Sequence, residues 1–216
     1  MRTTIIGGHG KVALRLASLL AGSGHEVTSW VRNPGHVADV ESTGARAQVA
    51  DVEQLDVDEM AALLSGQDAV VWSAGAGGGD PARTYAVDRD AAIRSVAAAE
   101  AAGVGRYVMV SYFYRRPEHG VPPDSSFFPY AEAKAAADSC LRESGLAWTV
   151  LGPSRLTDQP GTGRIEVAEV SPSSVSPSSV SRDDVAAVAA YVLEHPDTVG
   201  RTIDFNNGTI PVADAL

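Results

Sequence analysis

The chain has 216 residues, 44% hydrophobic and 20% charged, which is the balance of one folded domain with little room for long disordered tails. Seventeen Lys and Arg against 27 Asp and Glu leave a formal charge of −10, which repels phosphate backbones and anionic lipid, so neither nucleic acid nor membrane is an expected partner. No apolar run reaches the roughly 18 residues of a membrane span, the single Cys140 has no intrachain mate, and no basic-then-apolar leader precedes the first strand, so a cytoplasmic location is expected.

In chain order, short β-branched runs alternate with segments of helical period. Thr3 to Ile6, Glu26 to Val31, Ala45 to Val49, Ala69 to Ser73, Arg106 to Val110, Ala147 to Leu151 and Thr202 to Phe205 read as strands. Lys11 to Ala21, Val57 to Leu64, Thr84 to Ala102, Pro129 to Ser144 and Arg182 to Glu194 carry apolar residues at three- and four-residue spacing and read as helices. Ser181 with Asp184 resembles a capping box for the last of these. Runs apolar on both faces, such as Val70-Val71-Trp72, imply a mainly parallel sheet covered by helices on both sides, that is, a doubly wound α/β fold. One segment departs from this succession. The direct repeat Val170-Ser-Pro-Ser-Ser-Val175-Ser-Pro-Ser-Ser-Val180 is too rich in Pro and Ser for a helix and is expected as a surface loop or edge strand.

The first strand runs into Gly7-Gly8-His9-Gly10-Lys11-Val12-Ala13, which reads either as G-x-G-x-x-A from Gly8 or as G-x-x-G-x-x-A from Gly7. In both readings, positions without side chains let the backbone approach a pyrophosphate, and the following helix N-terminus offers it free N–H groups. At the end of the second strand, where a carboxylate would hold the ribose diol of NAD, stand Arg32 and Asn33, with no acidic residue before Asp39. A guanidinium suits the 2′-phosphate of NADP, so NADP(H) is expected over NAD(H); a solvated surface arginine is the alternative. Asp51, followed by Val52, is placed to accept from an adenine amino group or to cap a turn. Ser73-Ala74-Gly75-Ala76-Gly77 leaves the fourth strand nearly bare, for a cofactor to pass over or as a flexible loop.

Tyr130 and Lys134, four apart, share a helical face, where an ammonium would stabilise a phenolate and lower the tyrosine pKa toward neutrality. The chain has only two lysines, Lys11 and Lys134, among many arginines, which favours a chemical role over two exposed neighbours. The five histidines lack metal-ligand spacing, so no metal site is expected.

Gly7-Gly8-His9-Gly10, Asp51-Val52, Val110-Ser111, Tyr130-Ala-Glu-Ala-Lys134, Leu141-Arg-Glu-Ser-Gly145, Gly152-Pro153 and Ser181-Arg-Asp-Asp-Val185 together resemble the atypical, compact branch of the short-chain dehydrogenase/reductase superfamily. That branch holds NAD(P)-binding proteins similar to flavin and biliverdin reductases and to sugar-nucleotide epimerase relatives. The resemblance covers nearly the whole chain and implies one Rossmann domain, 1–216, with a small substrate-side portion from about 152. It implies that Lys134 bonds the nicotinamide ribose, Tyr130 gives or takes the proton, and Ser111 orients the substrate. It further implies a cofactor site that includes Gly7, His9, Gly10, Lys11, Val12, Ala74, Gly75 and Pro153.

Ser111 is followed by Tyr112, Phe113 and Tyr114, where fuller members carry a second Ser or Thr. Only 65 residues follow Leu151, too few for a large sugar-nucleotide domain. Tyr112, Tyr114 and Arg115 are expected to border the substrate, because ligands of doubly wound sheets sit beyond the carboxyl ends of the strands. Two function classes follow: an NADPH-dependent reductase of a small carbonyl, quinone-like or flavin-like molecule, or a protein that senses NADP(H) without turnover.

Overall fold

The computed structural model describes residues 1–114, 119–168 and 175–216. The first half alternates strand and helix: β1 (Arg2–Ile6), α1 (Lys11–Gly22), β2 (Glu26–Val31), α2 (Val37–Glu41), β3 (Arg46–Val49), α3 (Val57–Leu64) and β4 (Ala69–Trp72). The next helical stretch has three parts: α4 (Pro81–Thr84), a π-helical segment (Tyr85–Ala91) and α5 (Ala92–Ala101). There follow β5 (Arg106–Val110), α6 (Phe128–Glu143), β6 (Ala147–Pro153), β7 (Arg155–Thr157), β8 (Arg164–Ala168), β9 (Ser179–Ser181), α7 (Arg182–Glu194), β10 (Arg201–Asn207), β11 (Ile210–Pro211) and α8 (Val212–Ala215).

Among the described residues, nine strands form one sheet in the order β11-β8-β10-β6-β5-β4-β1-β2-β3. From β3 to β10 every pair is parallel; at one edge β8 runs antiparallel to β10 and pairs antiparallel with β11, which returns to the common direction. The strand order reverses between β1 and β4, so the loops leaving their carboxyl ends diverge and open a crevice there. Period-2 geometry sends Ile5 and Val71 to one face, under α1 and α7, and Ile6, Val70 and Trp72 to the other, under α3, α5 and α6. This is the expected doubly wound α/β fold.

The single helix expected over Thr84 to Ala102 starts three residues earlier, because Asp80 caps it by accepting from Ala82 and Arg83 N–H, with Pro81 in the first turn. Its middle widens to π geometry, which turns Asp88 inward to 2% exposure. The capping box at Ser181 is half made: Ser181 accepts from Asp184 N–H, while its own N–H goes to Asn207. Residues 170–174 of the Ser-Pro repeat lie outside the described residues. The second copy is held by Asn206, which accepts from Ser178 N–H and donates to Ser176 C=O, and it ends as β9, paired with β7. Among the described residues no helix is long and apolar enough to cross a membrane.

Candidate functional site

Two cavities meet at the crevice and share Gly10, Ser73, Ala74 and Gly75. Gly7 leaves β1 at φ +87°, and a Cβ there would lie 2.5 Å from Ala74 Cα. Gly10 precedes α1, donates its N–H to Gly7 C=O at 2.9 Å and lines both cavities. Gly8 instead packs against β2, where a Cβ would meet Ser29 Cβ at 2.5 Å. The cradle therefore follows the Gly7 reading of the motif, with Gly8 serving strand packing. A pyrophosphate needs this kind of cradle: backbone free of side chains beside a helix N-terminus.

The smaller cavity, about 350 Å³, is lined by Gly7, His9, Trp30 to Asn33, His36, Ala50 to Glu53, Ala74, Gly75 and Arg83. Arg32, Asp51 and Val52 stand on its wall. Asp51 Oδ1 accepts from Glu53 N–H at 3.1 Å, so its turn-capping role is present while the residue still faces the cavity. The sequence reading missed two features here. His9 and His36 stack with centroids 3.5 Å apart, and His9 pairs with Asp39. Glu53 brings a carboxylate to Arg32 at 2.9 Å, from the loop after β3 rather than from β2.

The larger cavity, about 1010 Å³, brings together Ser111, Tyr130 and Lys134 with Lys11, Val12, Asp88, Phe127, Leu156 and Arg182. Ser111 follows β5; Tyr130, Lys134 and Asp138 lie at four-residue steps along one face of α6. Lys134 is 1% exposed and donates to Val110 C=O at 2.9 Å. Ser111 donates to Asp138 Oδ2 at 2.7 Å, and the Tyr114 hydroxyl donates to the same oxygen at 3.1 Å. Asp88 accepts from Ala76 N–H at 2.9 Å. Burial pushes its carboxyl up, opposed by the charges of Lys134 and Arg83 and by that N–H. No spacing marked Asp88, because the π segment is what turns it toward the cavity.

The expected acidification of Tyr130 is not what the geometry produces. Burial raises its phenol well above the ordinary value, and the negative charges of Asp88 and Asp138 raise it further. Four-residue spacing gave a common face, but the Lys134 ammonium is engaged by the Val110 carbonyl and the carboxylates outweigh it.

Other expected residues stand elsewhere. Lys11 lines the larger cavity but its ammonium bonds Asp158 at 2.7 Å, which also holds Arg182 at 3.0 Å and lies well below the usual carboxylate range because of the Lys11 bond. Pro153, Tyr112 and Tyr114 are not on either cavity wall. Pro153 ends β6 and accepts from Phe113 N–H, while Tyr112 stacks on Tyr114 at 4.8 Å and leans on Tyr130 at 5.4 Å, so both rings back the wall. Arg115 lies outside the described residues. Among the described residues no group of three His, Cys, Asp or Glu side chains is arranged to hold a metal.

The glycine cradle, bare strand end and paired cavities fit a dinucleotide, and the comparisons agree. The family model described as NAD(P)H-binding matches residues 7–196. The uncharacterized sugar epimerase YhfK of Bacillus subtilis is 34% identical over 100% of this chain and 99% of its own. A Bacillus halodurans structure named as a candidate NAD-dependent epimerase/dehydratase is 33% identical, with TM-score 0.88 over 99% of this chain and 97% of that one. The oxidoreductase ylbE of Lactococcus lactis is 27% identical, with TM-score 0.87 over 100% of this chain and 94% of that one. The chain belongs to the NAD(P)H-binding family of compact Rossmann proteins, in the atypical short-chain dehydrogenase/reductase group, and its cofactor is a nicotinamide dinucleotide.

Proposed function

We propose that this protein is an NADP(H)-dependent oxidoreductase that reduces a small carbonyl, quinone-like or flavin-like molecule. The observation that carries the reading is the convergence of Ser111, Tyr130 and Lys134 on one cavity that shares its floor with the glycine cradle. A bound reduced nicotinamide supplies a hydride. The chain supplies the rest. Lys134, anchored by Val110 C=O, has two further N–H donors for ribose hydroxyls. The Tyr130 phenol, kept protonated by burial and neighbouring carboxylates, serves as a proton donor to a substrate oxygen rather than as a base. Ser111 gives its hydrogen to Asp138, so it meets the substrate with lone pairs and favours one bearing an O–H or N–H beside the reacting group. Leu156 and Arg182 line the far wall from the portion after residue 152, which we assign to the substrate side of a single domain working in the cytoplasm.

The test follows NADPH oxidation across carbonyl compounds, quinones and flavins. Tyr130→Phe should lower turnover by the ~10²- to 10⁴-fold of a lost general acid with little change in NADPH affinity, whereas Lys134→Ala should damage both. Full activity in Tyr130→Phe would overturn the assignment of the proton. Absence of turnover on every compound would favour a sensor. Epimerisation is the second reading, favoured by the name of the Bacillus subtilis relative, and it would interconvert sugars without net NADPH consumption.

A further inference from the structure

We propose that Arg83 and Glu53 complete, with Arg32, an exchangeable anion site that sets the margin between NADP(H) and NAD(H). The proposal rests on the reading that the adenosine end of the cofactor occupies the smaller cavity.

Arg32 leaves β2 and Arg83 lies in α4, 51 positions later, yet both guanidinium groups converge on one carboxylate oxygen. Glu53 Oε1 accepts from Arg32 Nη1 at 2.9 Å and from Arg83 Nε and Nη2, each at 3.3 Å. All three residues line the smaller cavity. Their side chains are 54%, 36% and 20% exposed for Arg32, Arg83 and Glu53, so the anion is the most enclosed member.

The bonding is lopsided. Two forks, each able to grip two oxygens, share a single oxygen, and two positive charges face one negative charge. A dianionic 2′-phosphate would offer terminal oxygens to both forks and balance both charges. Arg83 is set in place for this: its Nη1 donates to Ala76 C=O at 2.9 Å, and its own N–H is drawn to the Asp80 cap. Arg32, half-exposed, is free to follow the phosphate.

Glu53 then has two roles of opposite sign. Seated between the arginines, its carboxylate is an acceptor for the 2′-hydroxyl of an unphosphorylated ribose. To admit a phosphate it must surrender both arginines and withdraw from the incoming charge. Specificity is the difference between two affinities, so a competitor built into the site narrows the preference that the arginines create. The two arginines without Glu53 would give a steeper preference than the three residues together.

Calorimetry with 2′,5′-ADP and 5′-ADP tests this without catalysis. The wild-type protein should bind 2′,5′-ADP the more tightly. Arg83→Met should reduce that ratio about tenfold, the worth of one charge-assisted contact, with thermal denaturation reporting an intact fold. Glu53→Gln should raise the ratio about three- to tenfold, by strengthening 2′,5′-ADP and weakening 5′-ADP. A preference in the wild type that survives unchanged in Arg83→Met, or a lower ratio in Glu53→Gln, would overturn the proposal and leave the NADP(H) reading standing. Equal affinity for the two nucleotides in the wild type would overturn both.

Discussion

If the crevice between β1 and β4 is held by steric fit as well as by backbone conformation, three glycine-to-alanine changes separate the two costs. Gly77 has φ +83° with open space around it, so Gly77→Ala bears only the left-handed strain, about 1 kcal/mol. At Gly8 no such strain applies, but the new Cβ would lie 2.5 Å from Ser29 Cβ, an overlap of about 2 kcal/mol. Gly7→Ala combines both: φ +87°, and a Cβ 2.5 Å from Ala74 Cα and 2.6 Å from Ala74 N, which are backbone atoms that cannot rotate away. Its cost should be about 3–4 kcal/mol, the strain plus a harder overlap. For a chain of this size these become Tm losses of about 3 °C for Gly77→Ala, 6 °C for Gly8→Ala and 10 °C for Gly7→Ala in scanning calorimetry. NADPH affinity should fall most in Gly7→Ala, because Ala74 borders both cavities. Equal Tm losses for Gly7→Ala and Gly77→Ala would refute the steric part of the argument, and unchanged NADPH affinity in Gly7→Ala would refute the cradle.

Asp88→Asn should stabilise the fold above about pH 4, increasingly so as pH rises. The buried carboxyl titrates above its ordinary 3.8, so its favourable contribution is complete below that value and is lost as pH rises through the raised one, a loss the amide does not share; denaturation midpoints between pH 3 and 8 check the sign. Arg106→Met should cost about 2–4 kcal/mol while the folded variant keeps its NADPH affinity. Among the described residues the Arg106 guanidinium has only neutral partners, the Ala147 and Val192 carbonyls and the Thr149 and Thr198 hydroxyls, and burial lowers its pKa to about 10; it lies at the end of β5 away from both cavities.

The core of the fold was legible because its strands are apolar on both faces and its long helices repeat every three or four residues. β1, β2, β4, β5 and β6 start within a residue of where those patterns begin, and α3 and α7 have the expected ends. The elements that escaped are short or edge pieces. β7 and β11 have three and two residues, too few for any period, and β8 alternates weakly near a solvated edge. In the candidate site, Gly7, Gly10, Tyr130 and Lys134 stood out by local spacing, and Ser111 by the family resemblance. Glu53 did not, since it meets Arg32 and Arg83 across 21 and 30 positions, and a side-chain bond over that distance leaves no periodic trace. The direction of the Tyr130 shift was also hidden. A four-residue step puts an ammonium beside a phenol, but only the folded chain adds Asp88 from the π segment and engages the lysine elsewhere.

The far wall of the larger cavity is built on a different principle from the cradle. Asp184, 1% exposed, accepts from the N–H groups of Thr162 and Gly163, from the Ser181 hydroxyl and from the Asn207 amide. One carboxylate at the start of α7 thereby fixes the loop before β8, the end of β9 and the end of β10. At the cavity itself, Asp158 joins Arg182 on this wall to Lys11 beside the cradle. Apolar packing in the sheet fixes the glycine cradle, whereas a few polar bonds between short segments fix the far wall of the larger cavity. Buried polar bonds specify geometry sharply but involve few residues. Changes in residues 155–163 should therefore reshape the far wall of the larger cavity while the sheet and the glycine cradle stay intact.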